Sequence, residues 1–141
     1  MIGNLAIEKV PFYKKEDLGR VCMIKSRVLN MDAIIIEGLK VDTVVGCFNW
    51  ERQIIQPLML DITINTSLEQ AANSDELEDT LNYAEICEIS ATVIQTAQPK
   101  LIEHAAKLVL DALFTTYASI ESIMITIRKP AIIAQANSVG I

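Results

Sequence analysis

From Pro57 to Asn65 the chain alternates without a lapse, with Leu58, Leu60, Ile62 and Ile64 on one side and Met59, Asp61, Thr63 and Asn65 on the other. A period of two sustained over this length commits the segment to a β-strand with one buried and one mixed face, because a slip of one residue would turn the whole apolar set outward. Pro57 suits the start of such a strand, where no ladder donor is lost.

A partner strand precedes it. Ile34 and Ile36 lie on one face, and Leu39, Val41, Thr43 and Val45 resume the alternation after a one-residue slip at Glu37-Gly38, which is what a β-bulge does to a strand. Joined through Asn49 to Gln56, the two segments predict an antiparallel hairpin. Where the first strand ends, Val45-Gly46-Cys47-Phe48-Asn49-Trp50-Glu51 sets an aromatic ring beside an acid. It reads as a wall with a carboxylate at its lip, suited to a flat nitrogen-rich ligand, or more plainly as a strand end with a buried Trp50 and a solvated Glu51.

Residues 69 to 82 hold Asp75, Glu76, Glu78 and Asp79 without the spacing or central glycine of a calcium loop, and predict a solvated loop with at most a helical turn. A helical stripe follows, Ile86, Ile89, Ser90 and Val93, over Tyr83 to Thr96. Gln98-Pro99 interrupts it. A second helix is predicted over Lys100 to Tyr117, with Ile102, Ala105, Ala106, Val109, Ala112 and Leu113 at the three-and-four spacing. Ile123, Ile125 and Ile127 alternate with Met124, Thr126 and Arg128 in a third strand that Lys129-Pro130 should halt, and Ser138-Val139-Gly140-Ile141 can begin a fourth. The order ββααββ predicts an α+β layer, a four-stranded antiparallel sheet with two helices on one face. Its two open edges predict association edge to edge into a ring-shaped homo-oligomer.

At 141 residues this is one domain with an N-terminal extension: residues 1–30 have no sustained period, and Met31 opens the patterned part. An over-early start or a leader sequence accounts for such an extension. The net charge of −6 is divided as +3 over residues 1–30 and −9 over residues 31–141. That balance argues against a nucleic-acid or anionic-membrane surface. No apolar run has the length of a membrane span and no export signal is seen, so a cytoplasmic protein is expected. Cys22, Cys47 and Cys87 are odd in number and far apart, which predicts reduced, mostly core thiols rather than disulfides or zinc ligands.

Gly46-x-x-x-Trp50-Glu51, Asp79-x-Leu81-x-Tyr83, Leu101-Ile102-Glu103 and Lys129-Pro130 occur in this order and at compatible spacing. Through them residues 31–141 closely resemble dihydroneopterin aldolase, a bacterial folate-pathway enzyme of the tunnelling fold. The resemblance implies cleavage of 7,8-dihydroneopterin into 6-hydroxymethyl-7,8-dihydropterin and glycolaldehyde, without metal, Schiff base or other cofactor. It also implies an octamer of two stacked tetrameric rings, with the pterin between neighbouring subunits. By the same resemblance Glu103 grips the pterin amino group and ring N–H beside main-chain groups of Leu101 and Ile102. Lys129 moves protons, Tyr83 is a second proton donor, and Glu51 helps to bind the substrate side chain.

The residue types suit these roles. Glu103 falls in the first turn of the second helix, where unpaired N–H groups and the helix dipole favour an ionised carboxylate able to accept two parallel N–H bonds. Lys129 stands before a proline that ends strand pairing, which predicts an amine free to project from the sheet end. Tyr83 begins a helix, where a phenol can deliver a proton or simply pack. His104, the single histidine, cannot assemble the several-histidine zinc site of other tunnelling-fold enzymes.

Four departures from the family pattern stand out. Phe48 replaces a frequent Tyr, Asn49 a frequent Asp and Ala131 a frequent Gly, and the last strand is short. Two other functions remain open on the sequence: an epimerase acting at C2′ of dihydroneopterin or its triphosphate, and a non-catalytic pterin-binding ring protein. A triphosphate would call on Arg52, Lys100, Arg128 and Lys129.

Overall fold

The computed structural model describes Tyr13–Lys14 and residues 32–141. The long hairpin is present as β2 (Ala33–Thr43) and β3 (Gln56–Asn65), with β1 the two-residue strand Tyr13–Lys14. Register shifts between Ile36 and Leu39, and Gly38 takes φ +68° there, a left-handed conformation that costs glycine nothing. The bulge keeps both halves of β2 facing the same core, so Val41 and Val45 are buried with Leu58, Leu60, Ile62 and Ile64.

Residues 69–82 contain more regular structure than the sequence suggests: a short helix, α1 (Glu69–Ser74), and a 3-10 turn, Leu77–Asp79, neither with a buried residue. Helices α2 (Tyr83–Ala97) and α3 (Ile102–Thr116) follow, then β4 (Ser122–Pro130) and β5 (Ser138–Gly140). The sheet runs β2-β3-β4, all antiparallel, and β5 and β1 pair with the far edge of β4 at its two ends. β4 ends at Pro130, where the sequence puts its stop, with Lys129 paired to Val139 and Pro130 to Ser138. Proline forfeits a donor, yet β5 lies at the sheet edge, where that loss is tolerated.

Both helices cover the apolar face. α2 buries Ile86, Ser90 and Ile94, and α3 buries Ala105, Ala106, Val109, Leu113 and Phe114. Ser90 satisfies its hydroxyl on the Ile86 carbonyl at 2.7 Å. The opposite face is mixed, with an Asp61–Arg128 ion pair across β3 and β4. The sequence-level division at residue 31 falls on residues that, apart from Tyr13–Lys14, lie outside the described ones, as does Cys22.

Candidate active site

Lys129 enters from β4. Alternation places it on the helix-covered face with Ile123 and Ile127, and it is 7% exposed. Its amine donates to Glu51 Oε1 at 2.6 Å and to the Val45 carbonyl at 3.1 Å. Glu51, 4% exposed, opens the 3-10 turn Glu51–Gln53, and its Oε2 accepts the Phe48 N–H at 3.0 Å. The hydrogen bond from Lys129, with help from the Phe48 and Cys47 backbone N–H groups, holds the Glu51 carboxyl below its ordinary pKa although burial pushes it up. The two side chains form a buried, hydrogen-bonded ion pair.

Two sequence expectations are corrected here. The Lys129 amine does not project freely from the sheet end, because Lys129 is still a paired residue of β4 on its inward face, where its amine meets a carboxylate. Nor is Glu51 an acid at the lip of an aromatic wall. Glu51 is buried and Trp50 is 54% exposed, the reverse of the plainer alternative as well. The cause is Gly46: a β-carbon there would overlap the Glu51 carboxylate, so its absence opens the slot into which the acid folds. Gly46 also takes φ +132°, which L side chains rarely adopt. Nothing in the local sequence around Gly46 signals that its missing side chain makes room for the acid.

The same loop holds the turn between α2 and α3. Gly46 N–H donates to Pro99 O at 3.4 Å, the Cys47 thiol to Lys100 O at 3.7 Å, and Arg52 Nη1 to Gln98 O at 3.0 Å. These bonds set Leu101, Ile102 and Glu103 against the loop that carries Glu51. Leu101, the N-cap of α3, has an extended backbone and no side-chain capping bond, which leaves first-turn N–H groups open to a ligand. By contrast α2 is closed by Asn82, whose Oδ1 accepts from Ala84 and Glu85. Glu103 stands exposed in the first turn of α3, next to the exposed His104.

Tyr83 is not brought to this place. It is 65% exposed at the start of α2, and the fifteen residues of that helix put about 21 Å between it and the Gln98 end, at 1.5 Å per residue. Two surface depressions, of about 380 Å³ around Ile89 and about 280 Å³ between Gln70 and Leu81, have none of Glu51, Glu103 and Lys129 in their walls.

Of the four cations a phosphorylated tail would use, three are already engaged. Lys129 is bound to Glu51, Arg128 to Asp61 on the opposite face, and Arg52 to main-chain carbonyls. Ala131 stands at φ +56°, a left-handed conformation that strains an L side chain. Cys47 is exposed rather than part of the core, and Cys87 is half-buried, with its thiol pKa raised by burial. Among the described residues no helix is long and apolar enough to cross a membrane.

An antiparallel sheet, β2-β3-β4 with β5 and β1 on β4, under two helices and with a buried carboxylate–lysine pair beside an uncapped helix start, defines a domain of the tunnelling fold. The family model for dihydroneopterin aldolase matches residues 34–141, and the chain belongs to that family. It is 35% identical over 111 residues to the dihydroneopterin aldolase of Haemophilus influenzae, covering 79% of this chain and 93% of that protein. The match to the Escherichia coli K12 dihydroneopterin aldolase is also 35% over 111 residues, covering 79% and 90%. The crystal structure of the Escherichia coli enzyme in complex with neopterin superposes with a TM-score of 0.75 at 34% identity, over 79% of this chain and 96% of that one.

Proposed function

We propose that the chain is a lyase of folate biosynthesis that cleaves 7,8-dihydroneopterin into 6-hydroxymethyl-7,8-dihydropterin and glycolaldehyde. The observation that carries this reading is the buried Lys129–Glu51 pair at 2.6 Å, tied through the 46–52 loop to the α3 start that bears Glu103. The family match and the neopterin complex of the related enzyme support it.

Glu103 accepts the amino and ring N–H groups of the pterin edge, and the open N–H groups at Leu101 and Ile102 receive its carbonyl oxygen. Lys129 then faces the side chain. Its ammonium gives a proton to N5 as the C6=N5 imine takes up electrons, and the neutral amine accepts the proton of the 2′-hydroxyl, directly or through water. The C1′–C2′ bond breaks, C2′ leaves as the aldehyde carbon of glycolaldehyde, and C1′=C6 remains as an enamine. Proton delivery to C1′ by the Tyr83 phenol, with return of the N5 proton, restores the imine. The substrate supplies its own electron sink. Glu51 acts through Lys129, whose amine it holds in place at 2.6 Å, rather than by direct contact with the side chain.

The distance from Tyr83 to this centre within one subunit supports a site shared between two copies of the chain. Phe48, Trp50, Ile55 and Leu101 are exposed around it, an apolar rim that a second copy would cover. Among the described residues β2 is paired on one side only, an edge that ring closure would satisfy. We therefore assign a ring-shaped homo-oligomer, in the octameric arrangement implied by the family, with residues 31–141 as its catalytic unit and residues 1–30 as an extension. The free thiols Cys47 and Cys87 fit a reducing, cytoplasmic setting. The engagement of Arg52, Arg128 and Lys129 favours the unphosphorylated substrate.

The test is incubation with 7,8-dihydroneopterin in chelator, with chromatographic identification of products. Equimolar glycolaldehyde and 6-hydroxymethyl-7,8-dihydropterin are expected. Unchanged substrate, or its C2′ epimer alone, would overturn the assignment.

A further inference from the structure

Arg52 follows Glu51 in the three-residue turn and points the other way. While Glu51 reaches inward to Lys129, the Arg52 guanidinium lies across the C-terminal end of α2, with Nη1 at 3.0 Å from Gln98 O and 3.5 Å from both Pro99 O and Gly46 O. Gln98 caps α2 in a left-handed conformation, φ +45°, so the chain turns sharply before α3. Carbonyls at a helix end lack intrahelical partners and carry the negative end of the dipole. A guanidinium is the side chain best suited to gather several of them.

We propose that Arg52 is a positioning residue that sets the separation between the carboxylate that grips the ring, Glu103, and the pair that works on the tail, Glu51–Lys129. This rests on the lyase reading above. Successive residues of one turn hold the amine and the helix start: Glu51 binds Lys129, and Arg52 binds the carbonyls three and four residues ahead of Ile102. Glu103 and Lys129 come from different elements, and no bond joins them directly among the described residues. The packing of α3 on the sheet fixes the helix as a whole, and residues 46–52 and 98–101 fix where its first turn stands relative to Lys129. The Gly46 N–H to Pro99 bond and the Cys47 to Lys100 bond would survive removal of the guanidinium, so the turn keeps its fold and loses its tightest tie.

The experiment compares wild type with Arg52→Met, of similar length but without donors. It measures kcat and KM for 7,8-dihydroneopterin, the dissociation constant for guanine, and thermal stability. Guanine presents the same amino-oxo ring edge with no tail, so it reports the Glu103 end alone. A misplacement of about 1 Å predicts a kcat lower by roughly 10- to 100-fold, with KM and the guanine constant within about threefold of wild type, as expected when only transition-state contacts are lost. Should Arg52→Met fail to fold, Arg52→Lys carries the same test. A point charge cannot replace the planar fork, so a kcat loss of about 3- to 10-fold at unchanged guanine affinity is expected. A wild-type kcat in the folded variant, or guanine affinity and kcat falling together with stability, overturns the proposal. If wild type itself leaves 7,8-dihydroneopterin intact while binding guanine, the lyase reading falls and this inference with it.

Discussion

The Glu51 carboxylate occupies the space in which a side chain on residue 46 would stand. Gly46 is thus part of the Glu51–Lys129 site although it offers no functional group: its bare α-carbon is the back wall of the slot that holds the acid against Lys129. Gly46→Ala forces the carboxylate out and places alanine at φ +132°. A stability loss of about 1–3 kcal/mol is expected from the backbone strain alone, with kcat reduced by at least about 100-fold as the pair is misplaced. Urea unfolding and steady-state kinetics check both, and an alanine variant with normal turnover would show that the acid need not sit in this slot.

Because Lys129 and Glu51 are buried together, single and double replacements differ in a way the sequence could not suggest. Lys129→Met strands a buried carboxylate and is expected to lose turnover and about 3–5 kcal/mol of stability. The double replacement Lys129→Met with Glu51→Gln removes both charges and is expected to recover most of that stability while remaining inactive. Denaturation midpoints of the three proteins, read beside product formation, separate the catalytic contribution of the amine from its structural one. Recovery of activity in the double variant would remove Lys129 from the chemistry.

The depressed pKa of Glu51 has a definite consequence for acid stability. Its folded-state pKa lies below its unfolded-state value because Lys129 and backbone N–H groups favour the ionised form. Protonation therefore favours the unfolded chain, and the stabilisation is fully present above the unfolded-state carboxylate pKa and is lost as pH falls toward the folded-state value. Wild type should exceed Glu51→Gln in stability at neutral pH, and the gap should close as pH drops below the ordinary carboxylate range. A gap that stays constant from neutral pH to acid would mean that Glu51 is not ionised in the folded protein.

Much of the frame was legible because period-two and period-four patterns report directly which side of an element meets the core. The alternation of Leu58 to Ile64, the slip at Gly38 and the stop at Gln98-Pro99 all appear where the sequence puts them. Ile94 escaped the helical reading because the buried stripe of α2 runs at four-residue steps through Ile86 and Ser90, whereas the apolar Ile89 and Val93 suggest a stripe turned to one side. α1 and the 3-10 turn bury nothing, so no periodicity marked them. The Lys129–Glu51 pair joins residues 78 apart. A lysine before proline reads as exposed, and only the tertiary fold supplies the carboxylate that lets it be buried. Both residues of the pair stand in the family motifs, which leave their geometry unstated.

The position of Tyr83 at the far end of α2 leads to the strongest test of the proposed ring. If each centre takes Lys129 from one copy and Tyr83 from its neighbour, then Lys129→Ala and Tyr83→Phe each impair every site in their own rings. In mixed rings, a site formed by the Lys129 of a Tyr83→Phe subunit and the Tyr83 of a Lys129→Ala subunit is intact. Random assembly from equal amounts should restore roughly a quarter of wild-type activity, since each of the two contributions is intact in half the subunits of a closed symmetric ring. Co-refolding the two variants and assaying the mixture against each alone checks this. A mixture no more active than the mean of its parts would mean that Tyr83 and Lys129 do not meet across a subunit boundary, and Tyr83 would then have no place in proton delivery.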